Sequence, residues 1–179
     1  MRLILPSDMP TAADLAAKKR LRFDLAKRGT GSGQILVSTS ADTELEDVTL
    51  ELPTLRARDG KPLKGSVAWH RVGYIPRGGM LFYHEKSPAF SAGWMADPLL
   101  PPAPFRVRKG ATQSLWVDVK ADADAESGDY AGYARVLVSG VEKAKVVLFA
   151  RVRKFSLPET FGLDTAMGLM DGFLRETYP

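Results

Sequence analysis

The chain has 179 residues, 45% of them hydrophobic and 26% charged, which is enough apolar matter for one domain with a real core and too much for a disordered chain. The absence of cysteine excludes disulfides, thiolate metal sites and a cysteine nucleophile. A net charge of +4 and a pI near 9.4 admit acidic partners, but the basic residues cluster only at Lys18-Lys19-Arg20 with Arg22 and at Lys27-Arg28, without interleaved aromatics, so nucleic acid is not an expected partner.

No stretch is apolar enough for a transmembrane helix, and Met1-Arg2-Leu3-Ile4-Leu5-Pro6 is too short for a signal peptide. The sequence leaves the compartment open. Thr11-Ala12-Ala13-Asp14 has the form of a capping box and predicts a short helix over about Ala12 to Lys19. From Leu21 the period changes to two: Leu21, Phe23 and Leu25 alternate with Arg22 and Asp24, as in a half-buried strand. Gly29, Gly31 and Gly33 predict a flexible hairpin loop. They are not a dinucleotide fingerprint, because the third glycine comes too early and a strand follows.

Ile35-Leu36-Val37 reads as a short strand, and Val48, Leu50 and Leu52 mark the next. Asp59-Gly60 signals a tight turn before a strand over Val67 to Ile75 that carries Trp69 and Tyr74. From Pro76 to Pro104 prolines, glycines and aromatics follow no period, which predicts a long excursion. Alternation returns at Leu115, Val117 and Val119, then over Tyr133 to Val138 and Lys145 to Val152, joined through Ser139-Gly140. Seven or so short strands separated by turn signals predict a mainly β fold, an antiparallel β-sandwich of immunoglobulin-like or jelly-roll-like type. Met167, Leu169, Met170, Phe173 and Leu174 share one face of a short C-terminal helix.

The series Asp97-Pro98-Leu99-Leu100-Pro101, Gln113-Ser114-Leu115-Trp116-Val117-Asp118-Val119, Gly128-Asp129-Tyr130-Ala131-Gly132 and Phe155-Ser156-Leu157-Pro158 resembles the N-terminal β-sandwich of glycoside hydrolase family 123 and its relatives with a domain of unknown function 4091. Arg28-Gly29 and Val72-Gly73-Tyr74 fit the same pattern, and the resemblance runs from about Leu21 to Leu163. It implies three parts: an extension over 1–20, a sandwich over 21–158, and over 159–179 the first strand and helix of a (β/α)8 barrel that breaks off there. In that family the barrel removes N-acetylhexosamine with the substrate's acetamido group as nucleophile. The resemblance therefore implies a non-catalytic accessory domain whose partner is the barrel of a full-length glycoside hydrolase. The family's Asp-Glu pair is absent, since Glu46-Asp47 has the reverse order, and no catalytic residue is carried over.

An alternative is a carbohydrate-binding module in which Phe82, Tyr83 and Trp94 of the excursion meet glycan, grouped there with Phe90. Asp97 and Gly128 are expected in structural loop roles, Asp97 by accepting backbone hydrogen bonds and Gly128 by a backbone shape that a Cβ would oppose. Trp116 should face opposite to Leu115 and Val117, as core or interface packing rather than a sugar platform, unless the register is reversed and it faces the core. Asp122 to Asp129 begins like an EF-hand loop, but Ser127 stands where Gly is required and Tyr133 where the bidentate Glu belongs, so a solvated turn is expected. His70 and His84 have no companion ligands at metal spacing, and no Gly-x-Ser-x-Gly elbow is present. No metal, cofactor or membrane partner is implied. Self-association through the 167–174 helix face is a further expectation.

Overall fold

The computed structural model describes residues 5–11, 19–77 and 93–160. The expected helices over 12–19 and 164–178, the barrel strand at Phe161, and His84, Phe82, Tyr83 and Phe90 fall wholly or almost wholly outside these residues.

Among the described residues there are ten strands: β1 (Arg20–Lys27), β2 (Thr30–Ser38), β3 (Leu45–Glu51), β4 (Arg56–Ala57), β5 (Gly65–Arg77), β6 (Gly93–Leu100), β7 (Phe105–Val107), β8 (Thr112–Ala121), β9 (Gly128–Val138) and β10 (Val141–Ser156). They form two sheets. The larger runs β1-β10-β9-β3-β7, with β4 added beside β9, and the smaller runs β2-β8-β5-β6. The expected antiparallel sandwich is corrected at one pair, because β1 lies parallel to β10. The chain ends of the described fold are thus joined side by side.

One apolar core lies between the sheets. The larger sheet supplies Phe23, Leu25, Val48, Leu50, Val136, Leu148 and Val152; the smaller supplies Ile35, Val37, Leu115, Val117 and Val119. These positions recur every second residue, as a strand with one buried face requires. Leu115, Val117, Val119 and Leu148 have no exposed surface, and each such side chain contributes roughly 1.5–3 kcal/mol of transfer free energy. Trp69 of β5 meets Phe105 of β7 across the layer with ring centroids 6.3 Å apart at 58°.

The glycine loop is shorter than the sequence predicts. The chain turns at Arg28-Gly29, and Gly31 and Gly33 already belong to β2, which lies in the other sheet from β1. No hairpin forms there. A Cβ on Gly31 would stand 2.6 Å from Leu25 Cδ2, and one on Gly33 would stand 3.2 Å from Leu21 Cδ1. These glycines let two strands of opposite sheets come close. Gly65 does the same within a sheet: its φ is +156°, and a Cβ there would lie 2.0 Å from the Lys120 carbonyl oxygen. Part of the predicted excursion is also a strand, since β6 pairs antiparallel with β5 from Arg71↔Leu100 to Arg77↔Gly93. Ser139 (φ +49°) and Gly140 (φ +76°) make the turn between β9 and β10, with the left-handed pair of conformations that suits the twist of a hairpin.

Candidate functional site

The two outer faces differ in chemistry. On the larger sheet, strand register sets Asp24 opposite Arg151 and Arg151 opposite Asp129. Bidentate pairs follow: Arg151 donates to both Asp129 oxygens at 2.7 and 2.9 Å, and Arg153 donates to both oxygens of Asp24. Arg135 pairs with Glu51 from the neighbouring strand. The hydrogen bond from Arg153 chiefly holds Asp24 below the ordinary carboxylate range, and that from Arg151 does the same for Asp129. The Arg22 guanidinium lies 5.3 Å from the centre of the Phe149 ring. The carboxylates of Asp24, Asp129 and Glu51 are thus paired within this face.

The outer face of the smaller sheet carries few ions. Register aligns Gln34, Trp116 and His70 in one row across β2, β8 and β5, and Ser32, Asp118 and Ala68 in the next. All three members of the first row are half-buried, while Ser32 and Ala68 are exposed. Trp116 does face away from Val117, as alternation predicts. Its Nε1–H donates to Asp118 Oδ1 at 2.9 Å, and the Ser32 hydroxyl donates to the same oxygen at 2.5 Å. The indole is therefore laid along β8 toward Asp118 instead of standing off the sheet.

One end of this face is closed. Thr112, Ser114 and Val72 are buried although they belong to the outward set. There β5 leaves β8, and Gln113 Nε2 spans the gap by donating to the Val72 and Ser114 carbonyls at 2.8 and 2.9 Å. The turn Leu5–Asp8 fits beside it, its Pro6 carbonyl accepting from Thr112 N–H at 2.9 Å. The Tyr74 hydroxyl and Ser114 Oγ are buried here, and among the described residues neither has a hydrogen-bond partner of normal geometry. Burial pushes the Tyr74 phenol above its ordinary range, with the Ser114 backbone opposing the shift and Asp8 adding to it.

Phe82 and Tyr83 lie outside the described residues, and the other residues singled out from sequence stand apart from the Trp116 row. Trp94 lies on β6 opposite Pro76, at the far end of the β5–β6 ribbon, and is 58% exposed. Asp97 lies within β6 in an exposed position, where the register slips between Val72↔Leu99 and Tyr74↔Ala96, and not in a loop. Gly128 opens β9 with φ +159°, and a Cβ there would find only Tyr130 Cε2, at 4.0 Å. The acidic run near it is tied down by Lys64–Asp124 at 2.8 Å and Lys61–Glu126 at 3.4 Å, and the Tyr130 hydroxyl donates to the Glu126 carbonyl at 2.9 Å. Among the described residues no three His, Asp or Glu side chains group as metal ligands.

The grouping of Asp118, Ser32, Gln34 and His70 around Trp116 is not foreseen from sequence. The two-residue spacing of Trp116 and Asp118 is the signal that was there to be read. The partners on β2 and β5 depend on register, which that spacing does not contain.

No protein-family model matches the chain, and no curated protein matches it. A solved structure does. The fold is similar to that of a family 123 glycoside hydrolase from Clostridium perfringens, whose structure was analysed for the details of glycolipid glycan hydrolysis, with a TM-score of 0.61 and 16% sequence identity. The likeness is one of fold. It covers 78% of this chain and 24% of that enzyme, so the chain spans about a quarter of the enzyme's length.

Proposed function

We propose that the chain is a β-sandwich accessory domain of an N-acetylhexosaminidase-type glycoside hydrolase, standing N-terminal to a catalytic (β/α)8 barrel as in family 123 and the relatives with a domain of unknown function 4091. The observation that carries this reading is the coverage of the fold likeness: most of this chain corresponds to about a quarter of a glycoside hydrolase. The rest of such an enzyme has ample length for the barrel, and the Asp-Glu pair that would mark the catalytic centre is absent from these 179 residues. The domain's part is to pack on the barrel and hold it in position, and the partner is that barrel. The test is expression of the reading frame extended past residue 179. The extended product should hydrolyse an aryl N-acetylhexosaminide and the 179-residue chain should not; turnover by the short chain, or a frame that closes at once, would refute the reading.

A second reading is a glycan-binding module. Its support is Trp94, which is 58% exposed on the projecting β5–β6 ribbon. Exposed indoles are suited to the apolar face of a sugar ring. Failure of the chain to be retained on an immobilised-glycan column would remove the reading, and a W94A variant with unchanged retention would remove Trp94 as its contact.

A further inference from the structure

We infer that the Trp116 row on the smaller sheet is a binding site for one unit of a neutral pyranose glycan. The inference rests on the glycan-binding reading, but it places the contact at a different site from Trp94.

Four features support it. First, Trp116 is a large apolar side chain on an outward face, neither core nor fully exposed. The C–H bonds on one side of a pyranose are weakly positive and favour the negative face of an aromatic ring. Second, the ring is held in place before any ligand arrives, by its bond to Asp118 Oδ1, while Ser32 fixes that carboxylate from the neighbouring strand. Preorganisation lowers the ordering cost of binding. Third, Asp118 Oδ2 accepts no hydrogen bond from a described residue, so it is left as an acceptor for a sugar hydroxyl, with Gln34 and His70 beside the indole in the same row. Fourth, the face is graded. Ser114 and Val72 are closed off on one side of the row, while Ser32 and Ala68 are open on the other, which gives a ring somewhere to lie. The small side chain of Ala68, next to Asp118 on β5, leaves room there.

The opposite face, by contrast, carries its carboxylates in ion pairs. A tryptophan beside a held carboxylate and the hydrogen-bonding side chains of Gln34 and His70 is a composition suited to a polyhydroxylated ring. A neutral glycan brings no charge to be paired, and the row has no unpartnered arginine to receive one.

The chain's three tryptophans make the test direct. In a 1H–15N spectrum each indole N–H gives one signal: Trp69 from the core, Trp94 from the ribbon and Trp116 from the row. W94F and W116F variants assign them. Titration of the full chain with N,N′-diacetylchitobiose should move the Trp116 signal saturably, with a dissociation constant on the order of 1 mM, while Trp69 stays fixed and reports an intact fold. D118N should weaken the response about tenfold. Movement of Trp94 alone would overturn this site and leave the glycan-binding reading standing. Movement of neither would overturn both, and would leave the row as a surface for packing against protein. Movement of Trp116 that D118N does not alter would overturn the role given to the carboxylate and with it the site.

Discussion

Gly65→Ala is the sharpest test of the packing described for the smaller sheet. A Cβ at Gly65 would lie 2.0 Å from the Lys120 carbonyl oxygen and 3.0 Å from its carbon, against an ordinary contact of 3.4 Å or more. The obstacle is backbone at the end of the β5–β8 ladder, where Gly65 opposes Ala121, so no side chain can swing away. Relief requires about 1.4 Å of strand separation, and overpacking of this kind costs roughly 3 kcal/mol. The unfavourable φ adds about 1 kcal/mol. For a chain of this size each kcal/mol lowers Tm by roughly 2–4 °C, so the expected loss is about 8–16 °C. Gly60→Ala isolates the second contribution. Gly60 has φ +86° in the turn after β4 and nothing within 4 Å, so only the conformational cost applies and Tm should fall by about 2–4 °C. Calorimetry on the two variants decides. Equal shifts would show that the close approach of Lys120 does not govern Gly65.

Leu148→Ala, at a wholly buried position in the centre of the larger sheet, should cost about 3 kcal/mol and lower Tm by roughly 6–12 °C, whereas the exposed Leu99→Ala should change it by about a degree or two. Ser114→Ala removes a buried hydroxyl that has no partner among the described residues, so thermal unfolding should show an unchanged or slightly raised Tm; a large fall would mean that the hydroxyl is bonded. Asp24, Asp129, Asp124 and Glu44 are held below ordinary values of 3.8 and 4.5 by their Arg and Lys partners. Their stabilisation is complete above that range and is lost as pH falls through the lowered folded values, so Tm should decline below about pH 4. Because the pairs are exposed, about 1 M salt should flatten part of this decline, and a Tm indifferent to salt would count against them.

Much of the sandwich was legible because alternation marks a strand with one buried face. Phe23 and Leu25, Val48 and Leu50, and Leu115 through Val119 all stood out and are all buried. What alternation cannot show is partnership. Nothing in Leu21 to Leu25 distinguishes a strand beside β10 from a hairpin with β2, and the glycines after it look like a loop until Leu25 and Phe23 are seen to need the space. β7 escaped because Phe105 to Val107 is too short to establish a period, and β6 because Asp97 and Pro98 read as turn residues although they sit at a register slip. The candidate surface was half legible: Trp116 and Asp118 share a face by spacing, but Ser32 is 86 positions from Asp118.

The parallel pairing of β1 with β10 also sets a schedule for synthesis. β10 lies between β1 and β9, so the larger sheet has no continuous centre until Ser156 has left the ribosome. The smaller sheet has all four strands once Ala121 has emerged. At about 5–20 residues per second the interval between those two points is roughly 2–7 s. During it Leu115, Val117 and Val119 lack the cover that β9 and β10 supply in the finished fold, and β1 lacks its partner strand. The nascent chain is most exposed to aggregation in that window, and slower translation over Asp122 to Ser156 would lengthen it.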